Sequence, residues 1–221
     1  MPKQDFQGKV ILVTSGGTRE PIDPVRFISN ASSGKMGLAL AEAVHSRKGK
    51  VIFITASQNY FGKLPFKAIA VNSAREMFKE VRLNYLKADI IIMAAAVADF
   101  RPAKIKMSKI KKEKKPRISL SLIRNPDILA WLGRKKGKRI LVGFCAETGN
   151  VEGRARKKLI EKNADLFVGV NLRQPGGVIG KDFTRCKLAE KGGRITSIPR
   201  QRKRAVADLI LDKVSSVKRG L

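Results

Sequence analysis

The chain has 221 residues, enough to bury one sizeable α/β core, and carries 47 Lys and Arg against 18 Asp and Glu, a formal charge of +29. One histidine, His45, and two cysteines far apart in sequence, Cys145 and Cys186, exclude a structural zinc site and a histidine-based nucleophilic triad. The charge predicts attraction to nucleotides, phosphorylated metabolites or RNA, but it is spread along the chain, and an aromatic content of 6% offers no stacking platform for single strands. The polar N-terminus, MPKQDFQGK, is no signal sequence, and no apolar run reaches membrane-spanning length. Two free thiols suit a reducing compartment, so the expected setting is cytoplasmic.

Val10 to Val13 reads as a buried strand that breaks into Thr14-Ser15-Gly16-Gly17. After a Pro-punctuated loop, Asn30-Ala31-Ser32-Ser33-Gly34-Lys35-Met36-Gly37 opens a helical pattern that runs from Met36 to about Arg47, with Ser32 or Ser33 as the expected N-cap. Glycines and uncapped helix N–H groups together make two facing anion cradles. The Walker phosphate loop is excluded, because Ser29 stands where its first glycine belongs. The ASSGKMG turn also suggests a short-chain, nicotinamide-dependent reductase. Its catalytic pair demotes that NAD(P)-dependent reading to an alternative, since Tyr60 and Tyr85 are followed four residues later by Leu64 and Asp89.

Further strands are expected at Val51–Thr55, Ala68–Val71 and Asp89–Met93, with a helix between the last two capped by Ser73 and carrying Met77, Val81 and Leu86, with Glu76 in its first turns. The strand ending at Met93 runs into Ala94-Ala95-Ala96, small residues that let a ligand lie against backbone, and then Asp99, suited to a ribose hydroxyl, an amine or a metal. From Arg101 to Arg117 lysines dominate (Lys104, Lys106, Lys109, Lys111, Lys112, Lys114 and Lys115), which predicts a mobile flap over about 101–120 able to close on a triphosphate. Arg124-Asn125-Pro126-Asp127 is expected to begin a short helix with Pro126 early in it and Trp131 in the core.

Arg139–Phe144 and Leu166–Val170 read as strands. Between them a helix over Val151–Asn163 places Lys158 and Lys162 four apart on one face, as phosphates would want. Gln174 to Asp182, with Pro175-Gly176-Gly177, reads as loop. Lys187–Ala189 and Arg194–Thr196 flank Lys191-Gly192-Gly193 as a hairpin, and Lys203–Val217 closes the chain as a helix with Val206, Leu209, Ile210 and Val214 inward. The whole predicts an α/β fold. It is a Rossmann-like, open, mostly parallel sheet with helices on both faces, a C-terminal β-hairpin extension and the Lys-rich flap, in one domain spanning 1–221.

Six ordered segments, SGGTREPIDPVRFISNASSGKMG, AAAVADFRP, KIKK, RNPD, GFCAET and the Lys158/Lys162 helix, resemble phosphopantothenate–cysteine ligase (phosphopantothenoylcysteine synthetase) across essentially the whole chain. In many bacteria that ligase is the C-terminal half of a bifunctional coenzyme A biosynthesis protein, and this chain looks like a stand-alone form of it. The resemblance implies that the carboxylate of 4′-phosphopantothenate attacks the α-phosphorus of a nucleoside triphosphate, releasing pyrophosphate. The amine of L-cysteine then displaces the nucleoside monophosphate. The segments resemble the bacterial, CTP-using branch rather than the ATP-using one, with Mg²⁺ carried on the triphosphate and no metal-binding residues of the chain's own. By resemblance, Asn30 and Lys109 are catalytic, and Asn30 binds substrate. Gly16, Ser32, Gly34, Gly37, Met93, Ala94, Ala95, Asp99, Lys109, Ile123, Arg124, Asn125, Pro126, Phe144, Lys158 and Lys162 bind the nucleotide. A homodimer with the flap near its interface is implied, with no membrane and no specific nucleic acid as partner. The high charge keeps a non-enzymatic RNA-binding reading as the alternative from another class.

Overall fold

The computed structural model describes residues 3–57, 64–111, 117–174 and 179–217. In chain order the elements are β1 (Val10–Ser15), β2 (Arg19–Pro21), β3 (Phe27–Ser29), α1 (Lys35–Ser46), β4 (Lys50–Thr55), β5 (Ala68–Ala70), α2 (Ala74–Asn84), β6 (Ile90–Met93), β7 (Phe100–Pro102) and β8 (Leu122–Arg124). They continue as α3 (Ile128–Lys135), β9 (Ile140–Glu147), α4 (Val151–Glu161), β10 (Leu166–Asn171), β11 (Phe183–Glu190), β12 (Ile195–Arg202) and α5 (Lys203–Val217).

Eight strands form one sheet in the order β12-β11-β10-β9-β6-β1-β4-β5. Every pair from β5 across to β10 is parallel, and β11 and β12 extend the sheet as the antiparallel hairpin expected from the sequence. The apolar runs become central strands because successive side chains point to opposite faces and both faces are covered. Ile11, Val13, Ile90, Ile92, Ile140 and Val142 join a core with α1 and α5. Leu12, Ile91, Met93 and Leu141 join a second core with α2, α3 and α4. The path through α1 leads from β1 to β4 on one side, and the path through α2 returns to β6 on the other. The carboxyl ends of β1 and β6 are therefore the point where strand order reverses, which is where open α/β sheets bind ligands.

Two short antiparallel ribbons stand apart from the main sheet, β2 with β3 and β7 with β8, and they pack on each other through β2 and β7. The second ribbon roots the segment expected to be a free flap: Arg101 pairs with Ile123 and Pro102 with Leu122. Of the flap lysines, Lys112, Lys114 and Lys115 lie outside the described residues, as do Tyr60 and Pro175-Gly176-Gly177.

Several local expectations are corrected. Neither Ser32 nor Ser33 caps α1; Gly34 does, at φ 76°, with no side-chain cap. Pro126 precedes the α3 cap, which is Asp127 accepting the N–H of Ala130 at 2.8 Å. Leu86 and Leu209 are exposed, at 65% and 37%, because α2 ends at Asn84 and Leu209 falls at the edge of the α5 apolar stripe. Trp131 is half-buried, edge-on to Phe78 and Tyr85 at 5.4 and 4.9 Å between centroids. Ser73 does cap α2 as expected: its Oγ accepts the N–H of Glu76, and a Glu76 carboxylate oxygen accepts the N–H of Asn72, the residue before the cap, at 2.9 Å.

Candidate active site

The loops after β1 and β6 are tied together at the reversal point. The N–H of Ala96 donates to Gly16 O at 2.8 Å, and the N–H of Thr18 donates to Ala96 O at 3.3 Å. Thr14 Oγ1 accepts the N–H of Ala95 at 3.2 Å, and Thr18 Oγ1 accepts that of Ala98 at 2.9 Å. Gly16 takes φ 82°, and a Cβ there would lie 2.7 Å from the backbone nitrogen of Ser57, so only glycine lets the loop pass beneath the end of β4.

Behind this loop the N-terminus of α1 is held by Ser15, whose Oγ donates to Gly34 O at 2.8 Å. A Cβ on Gly37 would meet the Cβ of Ser15 at 2.6 Å, so this glycine sets how closely α1 packs on β1. The first turn of α1 carries no acidic residue and Gly34 supplies no side-chain cap, an arrangement that suits an anion at its leading N–H groups. Ser32 stays beside the turn, its Oγ 3.4 Å from the N–H of Gly34. Lys35 is not free to serve it directly, being paired with Asp182 at 2.6 Å.

Asn30 follows β3 and reaches the β6 loop, its Nδ2 donating to Ala96 O and Val97 O at 3.2 Å each. Two carbonyl partners fix which end of the amide faces the loop, so its Oδ1 is the atom left to accept a hydrogen bond from a ligand. Asn125 locks the segment carrying Asp99: its N–H donates to Asp99 O at 2.8 Å and its Nδ2 to Ala98 O at 2.9 Å. Arg101 donates to Arg124 O and to Asn125 Oδ1, a clamp that the sequence alone did not reveal.

Gly16, Asn30, Ser32, Gly34, Gly37, Ala94, Ala95, Asp99, Asn125 and Pro126 are thus grouped around the β1 and β6 ends. The Met93 side chain is buried, with Thr14 Oγ1 3.7 Å from its sulfur, so what Met93 offers at the β6 end is its backbone. Phe144 stands one residue beyond the Met93–Gly143 register pair and is half-buried against the α1 side of the core. Ile123 and Arg124 are exposed on β8.

Lys158 and Lys162 are not bare cations. Lys158 Nζ lies 2.9 Å from Glu147 Oε1, and Lys162 Nζ lies 2.5 Å from Asp127 Oδ2. Burial pushes the Asp127 carboxyl up, but the Lys162 ammonium and the Ala130 N–H together hold it below its ordinary value. A phosphate reaching these lysines has to compete with two carboxylates. Burial pushes the Cys145 thiol up to about 11 and the Cys186 thiol up to about 12, so neither is a thiolate at neutral pH. Tyr85 sits at the amino end of β6, opposite the glycine loops, which removes it from any hydride-transfer site.

Residues 6–217 match the family described as the DNA/pantothenate metabolism flavoprotein C-terminal domain. The chain belongs to this family. As a member of the flavoprotein C-terminal domain family, it is 41% identical over 215 residues to the coenzyme A biosynthesis bifunctional protein CoaBC of Bacillus subtilis (strain 168), covering 96% of this chain and 52% of that protein. The CoaBC of Escherichia coli (strain K12) is 38% identical over 217 residues, covering 96% and 53%. The chain spans about half the length of these curated relatives. Among solved structures, the C-terminal domain of a CoaBC superposes with a TM-score of 0.83 at 36% identity, covering 98% of this chain and 99% of that one. A mutant Cab2 in complex with phosphopantothenate-cysteine, 18% identical with a TM-score of 0.75, shares the fold.

Proposed function

We propose that the chain is a phosphopantothenate–cysteine ligase of coenzyme A biosynthesis, acting as one domain in the cytoplasm. In this reading MgCTP activates the 4′-phosphopantothenate carboxylate as an acyl-cytidylate, with release of pyrophosphate, and L-cysteine displaces CMP. The observation that carries the reading is the fastening of the β1 and β6 loops around Asn30 and the open α1 N-terminus, in a chain whose relatives are named for coenzyme A biosynthesis. The bacterial relatives and the KIKK, RNPD and GFCAET segments favour CTP over ATP.

Neither chemical step needs a protein nucleophile, which agrees with protonated buried thiols and a single histidine remote from the site. Alignment and charge neutralisation supply the rate. The α1 N-terminus and the Gly16 loop receive phosphate oxygens, Asp99 and the clamped Asn125 segment border the nucleoside, and Lys158 and Lys162 exchange carboxylate for phosphate partners. Lys109 neutralises charge as the carboxylate attacks. Asn30 Oδ1 accepts from the incoming cysteine amine. In this reading the magnesium ion enters with the triphosphate as part of the substrate. Mass analysis after incubation with 4′-phosphopantothenate, L-cysteine and MgCTP is expected to show 4′-phosphopantothenoylcysteine and CMP in equal amounts; CMP without the amide product would refute the reading.

The two ribbons support the homodimer. Val25, Phe27, Phe100, Met107, Ile118 and Leu122 are exposed there at 58, 49, 46, 91, 62 and 44%, an apolar surface that a lone soluble domain rarely leaves open. Equilibrium sedimentation is expected to give a dimer for the wild type and a monomer for Met107→Asp combined with Ile118→Asp. A fully active wild-type monomer would dismiss the dimer.

A further inference from the structure

Asp23 lies in the turn between β2 and β3 and is 2% exposed. Its Oδ1 accepts the N–H groups of Val25 at 2.9 Å and Arg26 at 2.8 Å, which shapes the turn. Its Oδ2 reaches a residue 87 positions away, accepting the N–H of Ile110 at 3.1 Å. Arg26 Nη2 donates to Ile110 O at 2.8 Å, and Arg26 Nε lies 3.8 Å from Asp23 Oδ2. Both backbone polar groups of Ile110 are therefore held by one Asp–Arg pair. A second tie lies four residues earlier, where the N–H of Lys106 donates to Ile22 O at 2.9 Å.

The stretch from Lys106 to Ile110 is thus fastened at both ends to the 22–26 turn, and Lys109 adjoins the second fastening. The same ribbon continues through β3 directly into Asn30. A buried aspartate that only shaped its own turn would need Oδ1 alone; the bond from Oδ2 to Ile110 contributes nothing to that turn. We infer that Asp23 is a positioning residue for Lys109, holding the flap by Ile110 so that the lysine and Asn30 share one rigid support. This inference rests on the ligase reading above. Burial alone would push the Asp23 carboxyl up, yet the N–H groups of Ile110, Val25 and Arg26 and the Arg26 guanidinium hold it below its ordinary value. It is therefore ionised at neutral pH and accepts from both sides at once.

Asp23→Asn keeps the size of the side chain and one acceptor oxygen. The amide can serve the turn or the flap but not both, since its second end is a donor. Pyrophosphate release with 4′-phosphopantothenate and MgCTP is expected to slow about 10-fold in kcat with the nucleotide KM unchanged, the size of effect that misplacing one group produces. Hydrogen exchange of the 106–111 peptide is expected to accelerate. In a Lys109→Ala background Asp23→Asn is expected to cause no further slowing, because a residue acting through another shows no separate effect once that other is gone. Should Asp23→Asn fail to fold, Ile110→Pro deletes the same hydrogen bond from the flap side and is expected to give the same slowing. Wild-type turnover by a variant with accelerated exchange would overturn the positioning role, and so would equal slowing in the Lys109→Ala background. A wild type that releases no pyrophosphate with CTP or ATP would overturn the ligase reading and the role together.

Discussion

Lys109→Ala is expected to lower acyl-cytidylate formation by about 10²- to 10³-fold, the loss typical when a preorganised charge aimed at developing negative charge is removed. Attack of a carboxylate on a triphosphate gathers negative charge on both reactants. Lys35, Lys158 and Lys162 are each bound to a carboxylate, at 2.6, 2.9 and 2.5 Å. Lys109 is exposed on the flap beside the fastened Ile110, so truncating it costs no core packing. The variant should therefore melt like the wild type. Rapid-quench sampling with labelled CTP measures the step directly. Lys109→Arg, which keeps the charge and changes its shape, should recover part of the loss. An alanine variant that formed the intermediate at the wild-type rate would remove Lys109 from the chemistry.

The second large effect falls on the other half-reaction. Asn30→Ala is expected to form acyl-cytidylate normally and then stall, showing a burst of one pyrophosphate per site followed by coupling to cysteine slowed about 10²-fold. The structure makes this specific, because the Asn30 Nδ2 is spent on Ala96 O and Val97 O and leaves Oδ1 to the ligand. Asn30→Asp tests the atom assignment: a carboxylate retains an acceptor but faces two carbonyl oxygens, so the β6 loop is pushed away and both steps should weaken. If Asn30→Asp instead coupled cysteine as fast as the wild type, the acceptor role would stand without the loop contact. Loss of the burst in Asn30→Ala would move Asn30 to the activation step.

The parallel sheet was legible because its strands are uniform apolar runs, Val10–Val13 and Asp89–Met93 above all, separated by segments of helical period and ended by glycine or alanine. The C-terminal hairpin was legible from Lys191-Gly192-Gly193, and α2 from the Ser73 cap with Glu76 in its first turn. The cap of α1 was misread for a physical reason. Two serines before a helix suggest a side-chain cap, but the chain turns out of β3 through a left-handed residue, and only Gly34 takes that conformation cheaply. The β7–β8 ribbon was hidden because the lysines between its strands mask any strand period, and its strands have three residues each. Within the site, the glycine loops declared themselves by type and spacing, and Asn30 through the family resemblance alone. The partners of Lys158 and Lys162, and the reach of Asp23 to Ile110, did not. They join residues 11, 35 and 87 positions apart, distances that no local pattern encodes.

The central claim is the coupling of nucleotide cleavage to a phosphopantothenate carboxylate. It is tested most directly by pyrophosphate release from the purified chain with 4′-phosphopantothenate, L-cysteine and Mg²⁺, with CTP and ATP in parallel. The account predicts release with CTP that vanishes when 4′-phosphopantothenate is omitted, and much slower release with ATP. Equal or faster release with ATP would contradict the CTP assignment, and no release with either nucleotide would contradict the ligase itself.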